Sequence, residues 1–261
     1  MSTLFIQRLY FLLLILCVTN GLAIDIYSNT GNSLIGNISP VVIIVIASVL
    51  RLEGRAPLWH RSHYLLQNAV LICGALIPSS TFAWLTLSYC SGLGARKYRH
   101  SRASQLLLLA LALAFLWKAC LFKLLSSLIL PLEMAFMGGL FSLVQPGLTV
   151  QGNLLYINER HILALGMECS VFYNLSLVAL GWFSLHLLAH RHMPSLKGCA
   201  ALLLSIFCLN ILRIYLMSIS PQWYHIVHEG SGAAVYDFTL SLLISSAIWL
   251  RWRCYQQGCW V

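Results

Sequence analysis

Charge is what this sequence has least of. Only 9% of its 261 residues are Asp, Glu, Lys or Arg, and seven of them are acidic. An ordinary soluble domain carries about 25%. With 59% hydrophobic residues and a mean hydropathy of +0.82, a water-soluble fold is excluded, because the polar side chains could not cover so much apolar surface. Other absences narrow the reading further. The sequence has no internal repeat and no separate soluble domain. Val227-His228-Glu229-Gly230 holds a His-Glu pair without a second histidine, so the zinc-binding His-Glu-x-x-His motif of intramembrane metallopeptidases is missing. Nine cysteines are an odd number, and the chain is not the small secreted kind that disulfides staple. Cys17, Cys73, Cys90, Cys120, Cys199 and Cys208 lie inside apolar runs and read as small hydrophobes in helix packing. Cys254 and Cys259 follow Arg251 and Arg253 in the tail. Only Cys169 is left over.

What is present is a succession of apolar runs from residue 4 to residue 250, each near the ~20 residues that a spanning helix needs. The expected fold is an all-α polytopic membrane protein, residues 1–261 forming a single integral membrane domain within the lipid bilayer. The net charge of +9 does not signal nucleic acid. The basic residues sit in short loops between apolar runs, where they set topology, and no nucleic-acid partner is expected.

The first run covers 4–24 and ends in Gly21-Leu22-Ala23, which resembles a signal-peptide cleavage site. A polar segment from Asp25 to Asn37 follows, then a run over about 34–50. The stretch from Tyr64 to Cys90 has basic loops at both ends, Arg51, Arg55 and Arg61 before it and Arg96, Lys97, Arg99 and Arg102 after it. One crossing cannot have both ends inside, and Pro78 supplies a break. A hairpin of two spans, about 62–77 and 80–94, is therefore expected. The fifth span begins near Ala103 and reaches the outer face before Pro131, with 132–144 as a separate interfacial helix. Within 147–167 a turn at Gln151-Gly152-Asn153 joins two short strands, a small extracytoplasmic β-hairpin before the sixth span. The last three spans cover about 169–189, 199–217 and 232–250. About eight transmembrane helices result, with both termini inside. Twelve of the sixteen Lys and Arg residues then face the cytoplasm, all except Lys118, Lys123, Arg160 and Arg213.

Three reactive side chains meet on the outer face of this layout. Cys169 opens the sixth span, Arg213 lies near the outer end of the seventh, and His228 precedes the eighth. Each has a plain alternative. A cysteine at a helix start usually packs as a small residue, an arginine there can snorkel to lipid headgroups, and His225 competes with His228. An ionisable residue at membrane depth is nevertheless a functional candidate by default. Together the three suit acyl transfer. A helix N-terminus or a nearby cation lowers a thiol pKa, histidine moves the proton, and a fixed cation stabilises an oxyanion.

At these residues the sequence resembles the exosortase/archaeosortase family of membrane transpeptidases. The likeness rests on Gly147-Leu148-Thr149-Val150 leading to Met167-Glu168-Cys169-Ser170, on Asn210-Ile211-Leu212-Arg213, and on His228-Glu229-Gly230-Ser231-Gly232. These are similar to the family's Cys-Ser, Asn-x-x-Arg and His-x-x-x-Gly motifs, in the same order and spread over residues 100–250. In most members glycine follows Cys-Ser, whereas Val171 stands here. The resemblance implies N-terminal spans over 1–102 and a catalytic region over 103–261. It implies a cysteine peptidase that cleaves C-terminal sorting signals of exported proteins and passes them to an acceptor. The recognised tail comprises a short motif, a hydrophobic span and a basic cluster. The site would lie on the extracytoplasmic face of the cytoplasmic membrane. By this resemblance Cys169 is the nucleophile, Arg213 the oxyanion donor and His228 the proton carrier, with Asn210 and Ser170 in support. Neither a cofactor nor a metal is expected.

Two rivals stand beside this reading. His186, His190 and His192 have spacings that suit a metal or haem, although histidines at an inner helix end are commonly interfacial. A non-catalytic transporter or assembly scaffold is the other. A transporter should carry paired broken helices in related halves, and the break at Pro78 has no counterpart in the second half.

Overall fold

The computed structural model describes residues 3–30, 40–53, 64–97, 101–157, 161–189 and 196–229, together with 231–232, 235–236, 238–240, 242–244 and 246. Arg55, Arg61, Arg99, Arg160, His190, Arg191, His192, Arg251, Arg253, Cys254 and Cys259 lie outside the described residues. The chain divides into two compact units, residues 1–119 with 183–191, and residues 120–182 with 192–261.

The first unit is built from α1 (Thr3–Thr30), α2 (Pro40–Glu53), α3 (Tyr64–Leu76), α4 (Ser80–Lys97) and α5 (Arg102–Leu116). Helix α4 packs against α1, α3 and α5, and α2 packs against α5. Small residues on α4 (Ala83, Ser91, Gly94 and Ala95) let its neighbours approach closely, as helix contacts in lipid require. Trp84 is fully buried, stacks on Phe115 at 4.4 Å and donates its indole N–H to Asp25 at 2.8 Å. That contact accounts for one departure from expectation. The polar segment beginning at Asp25 is helical as far as Thr30, so Gly21-Leu22-Ala23 lies inside a helix.

The helix break expected at Pro78 is present, with α3 ending at Leu76 and α4 starting at Ser80. Proline has no N–H to give the Gly74 carbonyl four residues back. Asn20 of α1 fills that gap, its amide donating to Gly74 O and to Ile77 O, each at 3.0 Å. Ser79 restarts the ladder by accepting the Ala83 N–H at its carbonyl.

A π-helical turn, Trp117–Leu121, joins α5 to α6 (Phe122–Ser142), and the whole forms one helix of 41 residues, Arg102–Ser142. The expected stop before Pro131 is therefore corrected, since Pro131 sits inside α6. A proline costs a helix one hydrogen bond, and membrane helices carry it where neighbouring groups or local backbone adjustments re-satisfy the freed carbonyl.

In the second unit three antiparallel strands follow α6 in the order β1 (Leu148–Gln151), β2 (Leu154–Ile157) and β3 (His161–Ala164). The turn falls where the sequence placed it. Gln151 pairs with Leu154, and Gly152 takes φ of 61°, which favours glycine. Strand β3 was not expected, because only two short strands were read within 147–167. Its alternation emerges only on folding, with Ile162 outward and Leu163 and Leu165 buried. The sheet rests on α6 through β1 and β2. A 3₁₀ turn, Met167–Cys169, leads into α7 (Val171–Ala189), and α8 (Leu196–Ile219) follows. After α8 come a short helix, α9 (Pro221–Tyr224), and a second π-helical turn, His225–Glu229.

Among the described residues three helices are long and apolar enough to cross a membrane: Arg8–Tyr27, Arg102–Ser142 and Ala200–Ile219. Shorter apolar helices cover Val41–Leu52, Leu66–Leu76 and Val171–Ser184, and the last expected span is described only in part. The α6 surface presents Leu124, Leu128, Leu132, Phe136 and Leu140 outward. A helix stripe of that kind suits lipid rather than water.

Candidate active site

The candidate site is assembled within the second unit, around the turn that joins β3 to α7. That turn is tightly hydrogen-bonded. Cys169 N–H donates to Gly166 O and Ser170 N–H to Met167 O, both at 3.1 Å. Cys169 is only 3% exposed and Ser170 is fully buried. At the first residue of α7 the Val171 N–H donates to Glu133 Oε1 at 2.7 Å, and the Ser170 hydroxyl donates to Glu133 Oε2 at 2.5 Å. Glu133 comes from α6 and is the one charged residue among those described that is fully buried. Its carboxylate thus caps α7 from another helix, where an N-terminus leaves N–H groups without intrahelical partners. The sequence reading expected that helix terminus to serve the thiol. In the structure Glu133 occupies it.

Asn210 and Arg213 stand one turn apart on α8. The Asn210 amide is completely buried and donates to the Cys169 carbonyl at 2.8 Å. Its Oδ1 accepts the Tyr236 hydroxyl at 3.0 Å. The ring of the same tyrosine lies under the Arg213 guanidinium, 4.3 Å from centroid to Cζ, a cation–π contact that holds the guanidinium plane. Asn210 therefore joins the nucleophile candidate to the platform on which Arg213 rests. Arg213 Nε is buried and has no hydrogen-bond partner among the described residues.

His228 lies in the second π-helical turn, and its ring stacks on Tyr224 with centroids 5.0 Å apart and planes 9° apart. Its Nδ1 is also buried and has no hydrogen-bond partner among the described residues. His225 meets the same tyrosine edge-on at 6.0 Å and is exposed. Gly232 fixes how this turn meets the last helical stretch. A Cβ there would come within 2.7 Å of Ile226 O and 2.8 Å of Val227 Cα, so the close approach requires glycine.

Cys169, Asn210 and Arg213 are thus tied together through Tyr236, while Ser170 is tied to Glu133. His228 belongs to a separate stack on Tyr224. Glu133, Tyr224 and Tyr236 were not singled out from the sequence, though a signal existed for the first. Glu133 is the only acidic residue in the 41-residue helix, and such a residue deserves suspicion. His186 lies on α7 while His190 and His192 fall outside the described residues. Among the described residues no group of three His, Cys, Asp or Glu could hold a metal ion. Comparison with known proteins returned nothing: no family model, curated protein or solved structure matches this chain.

Proposed function

We propose that this protein is a membrane-embedded cysteine transpeptidase of the exosortase and archaeosortase kind. The observation that carries the reading is the use of peptide N–H groups around Cys169. Those of Cys169, Ser170 and Val171 are all engaged, by Gly166 O, Met167 O and Glu133. None of these three is left for a backbone oxyanion hole of the type that many acyl-transfer enzymes use. The reading therefore gives that task to a side-chain donor. Arg213 is a permanently charged donor, is steadied on Tyr236 and has an Nε with no partner among the described residues.

The chemistry follows from these roles. His228 takes the proton from the Cys169 thiol, and Sγ attacks the carbonyl carbon of the scissile peptide bond. The carbonyl oxygen becomes an oxyanion that Arg213 receives. As the C–N bond breaks, His228 returns the proton to the departing amine, and an acyl thioester remains on Cys169. A nucleophile on the acceptor then attacks the thioester and frees the thiol. The near-complete burial of Cys169 favours that acceptor over bulk water, because an enclosed site protects a reactive intermediate from hydrolysis. The substrates are exported proteins whose C-terminal tail carries a short motif, a hydrophobic span and a basic cluster. The enzyme spans the cytoplasmic membrane about eight times, with the site on the extracytoplasmic face.

The test is processing of a tripartite-tail substrate in cells carrying wild type, Cys169→Ala, Arg213→Ala, His228→Ala or His225→Ala at matched membrane levels. Wild type and His225→Ala should shorten the substrate, and the other three should leave it full length. Loss of the oxyanion donor alone is worth about 10²–10³ in rate. Processing by Cys169→Ala at the wild-type rate would overturn the thiol mechanism and bring the non-catalytic scaffold or transporter forward.

A further inference from the structure

Glu133 occupies a place that the proposed reaction leaves unexplained. A carboxylate buried to 4% exposure is costly unless its hydrogen bonds compensate. A plain helix cap would be served by the side chain of Ser170 itself, the residue immediately before α7, since serine is a favoured N-cap. The Ser170 hydroxyl instead spends its proton on Glu133 Oε2, while Val171 N–H donates to Oε1. The two oxygens thus grip two consecutive residues directly after Cys169. On the other side of the peptide Asn210 holds the Cys169 carbonyl at 2.8 Å. Cys169 therefore sits in a clamp with one jaw on α6 and the other on α8.

We infer that Glu133 is a positioning residue for the thiol. Acting through Ser170 and Val171, it fixes the turn that presents Cys169 Sγ to the scissile carbonyl. The inference rests on the transpeptidase reading for its kinetic consequence but not for its geometric one. What matters is the pair of hydrogen-bonding positions rather than the negative charge, and two substitutions separate them. Glu133→Gln keeps the reach: its Oε1 can accept from Val171 N–H and its Nε2 can donate to Ser170 Oγ, since a hydroxyl both donates and accepts. Glu133→Asp keeps the charge but is one methylene shorter, so it cannot meet both donors in place. Both are small changes, chosen because Glu133→Ala would leave buried donors unmatched and endanger folding.

The experiment measures kcat and KM for tail cleavage, together with the rate at which a small alkylating reagent modifies Cys169, followed on its own peptide by mass spectrometry. The expected result is that Glu133→Asp lowers kcat by about 10², the cost of misplacing a reacting group by about 1 Å, with KM little changed. Glu133→Gln should recover most of that loss. Alkylation of Cys169 should be about tenfold faster in Glu133→Asp than in wild type, because a lost hydrogen bond lets the turn open more often. In Glu133→Gln it should stay near the wild-type rate. The inference is overturned if Glu133→Asp cleaves better than Glu133→Gln, which would make the charge the working part, or if alkylation is equal in all three proteins. Should wild type cleave no substrate, the transpeptidase reading fails while the alkylation rates still decide whether Glu133 holds Cys169 in place.

Discussion

Tyr236 offers a sharp perturbation of the candidate site, because its two ends do different things. Its hydroxyl donates to Asn210 at 3.0 Å, and its ring lies 4.3 Å from the Arg213 guanidinium. Tyr236→Phe removes only the first contact. It leaves Asn210 Oδ1 buried and unmatched, which costs about 1–3 kcal/mol of stability. It leaves the cation–π contact in place, and with it the orientation of Arg213. Tyr236→Leu removes both. The further loss is about 1–2 kcal/mol for a partly desolvated cation–π pair. Where that contact holds Arg213 ready for the oxyanion, the same energy appears in the barrier as about a five- to thirtyfold lower rate. Tyr236→Leu should therefore unfold at a lower temperature in detergent than Tyr236→Phe, and it should also cleave the tail more slowly. Cleavage assays on folded protein, matched by gel filtration, read the difference directly. Equal rates for the two would refute the argument that the ring steadies Arg213, however much both lose in stability.

Two further substitutions probe how the site and its scaffold are held. Gly232→Ala puts a methyl against Ile226 O and Val227 Cα, backbone atoms that cannot swing aside. An overpacked contact of this kind costs about 1–3 kcal/mol. Because the displaced turn carries His228, cleavage should fall along with the melting temperature, whereas a fall in melting temperature alone would detach the turn from catalysis. Asn20→Ala in the first unit strips the donor from the carbonyl that Pro78 leaves free, at a cost of about 1–3 kcal/mol. Thermal unfolding should show that loss, and an unchanged melting temperature would mean that the break at Pro78 does not depend on α1.

The legible parts of this molecule were those written in local chemistry. Pro78 announces a helix break because a missing N–H is a property of one residue, and Gln151-Gly152-Asn153 announces a hairpin because glycine takes a positive φ. The partners of those features were not legible. Nothing local to Asn20 says that it will face Gly74 across two helices, and nothing local to His161-Ile162-Leu163-Ala164 says that β2 will pair with it. The continuous helix from Arg102 to Ser142 misled for a related reason. Pro131 removes only one hydrogen bond of the ladder, and a membrane helix carries such a proline where neighbouring groups or local backbone adjustments re-satisfy the freed carbonyl, which no local sequence signal announces. At the candidate site Cys169, Asn210, Arg213 and His228 stood out by residue type and spacing. Glu133 and Tyr236, which hold the first three, lie 36 residues before the cysteine and 23 after the arginine. Only the fold brings them to the site.

Glu133 also bears on the clearest departure from the resembled family, valine where most members have glycine after Cys-Ser. A glycine is obligatory where the backbone enters the left-handed region or where a neighbour leaves no room for Cβ. Neither need arises at Val171. It is the first residue of α7, a helical conformation open to any L-residue, and its side chain is buried to 7% exposure. What this position contributes to the turn is its N–H, which Glu133 accepts, and valine supplies that group as well as glycine does. Its branched side chain also restricts the backbone beside the thiol more than glycine would. Val171→Gly should therefore keep the hydrogen bond to Glu133 yet loosen the turn, raising the alkylation rate of Cys169 without removing cleavage. A complete loss of cleavage in Val171→Gly would mean that the valine side chain itself shapes the site, and that its N–H is not the part that counts.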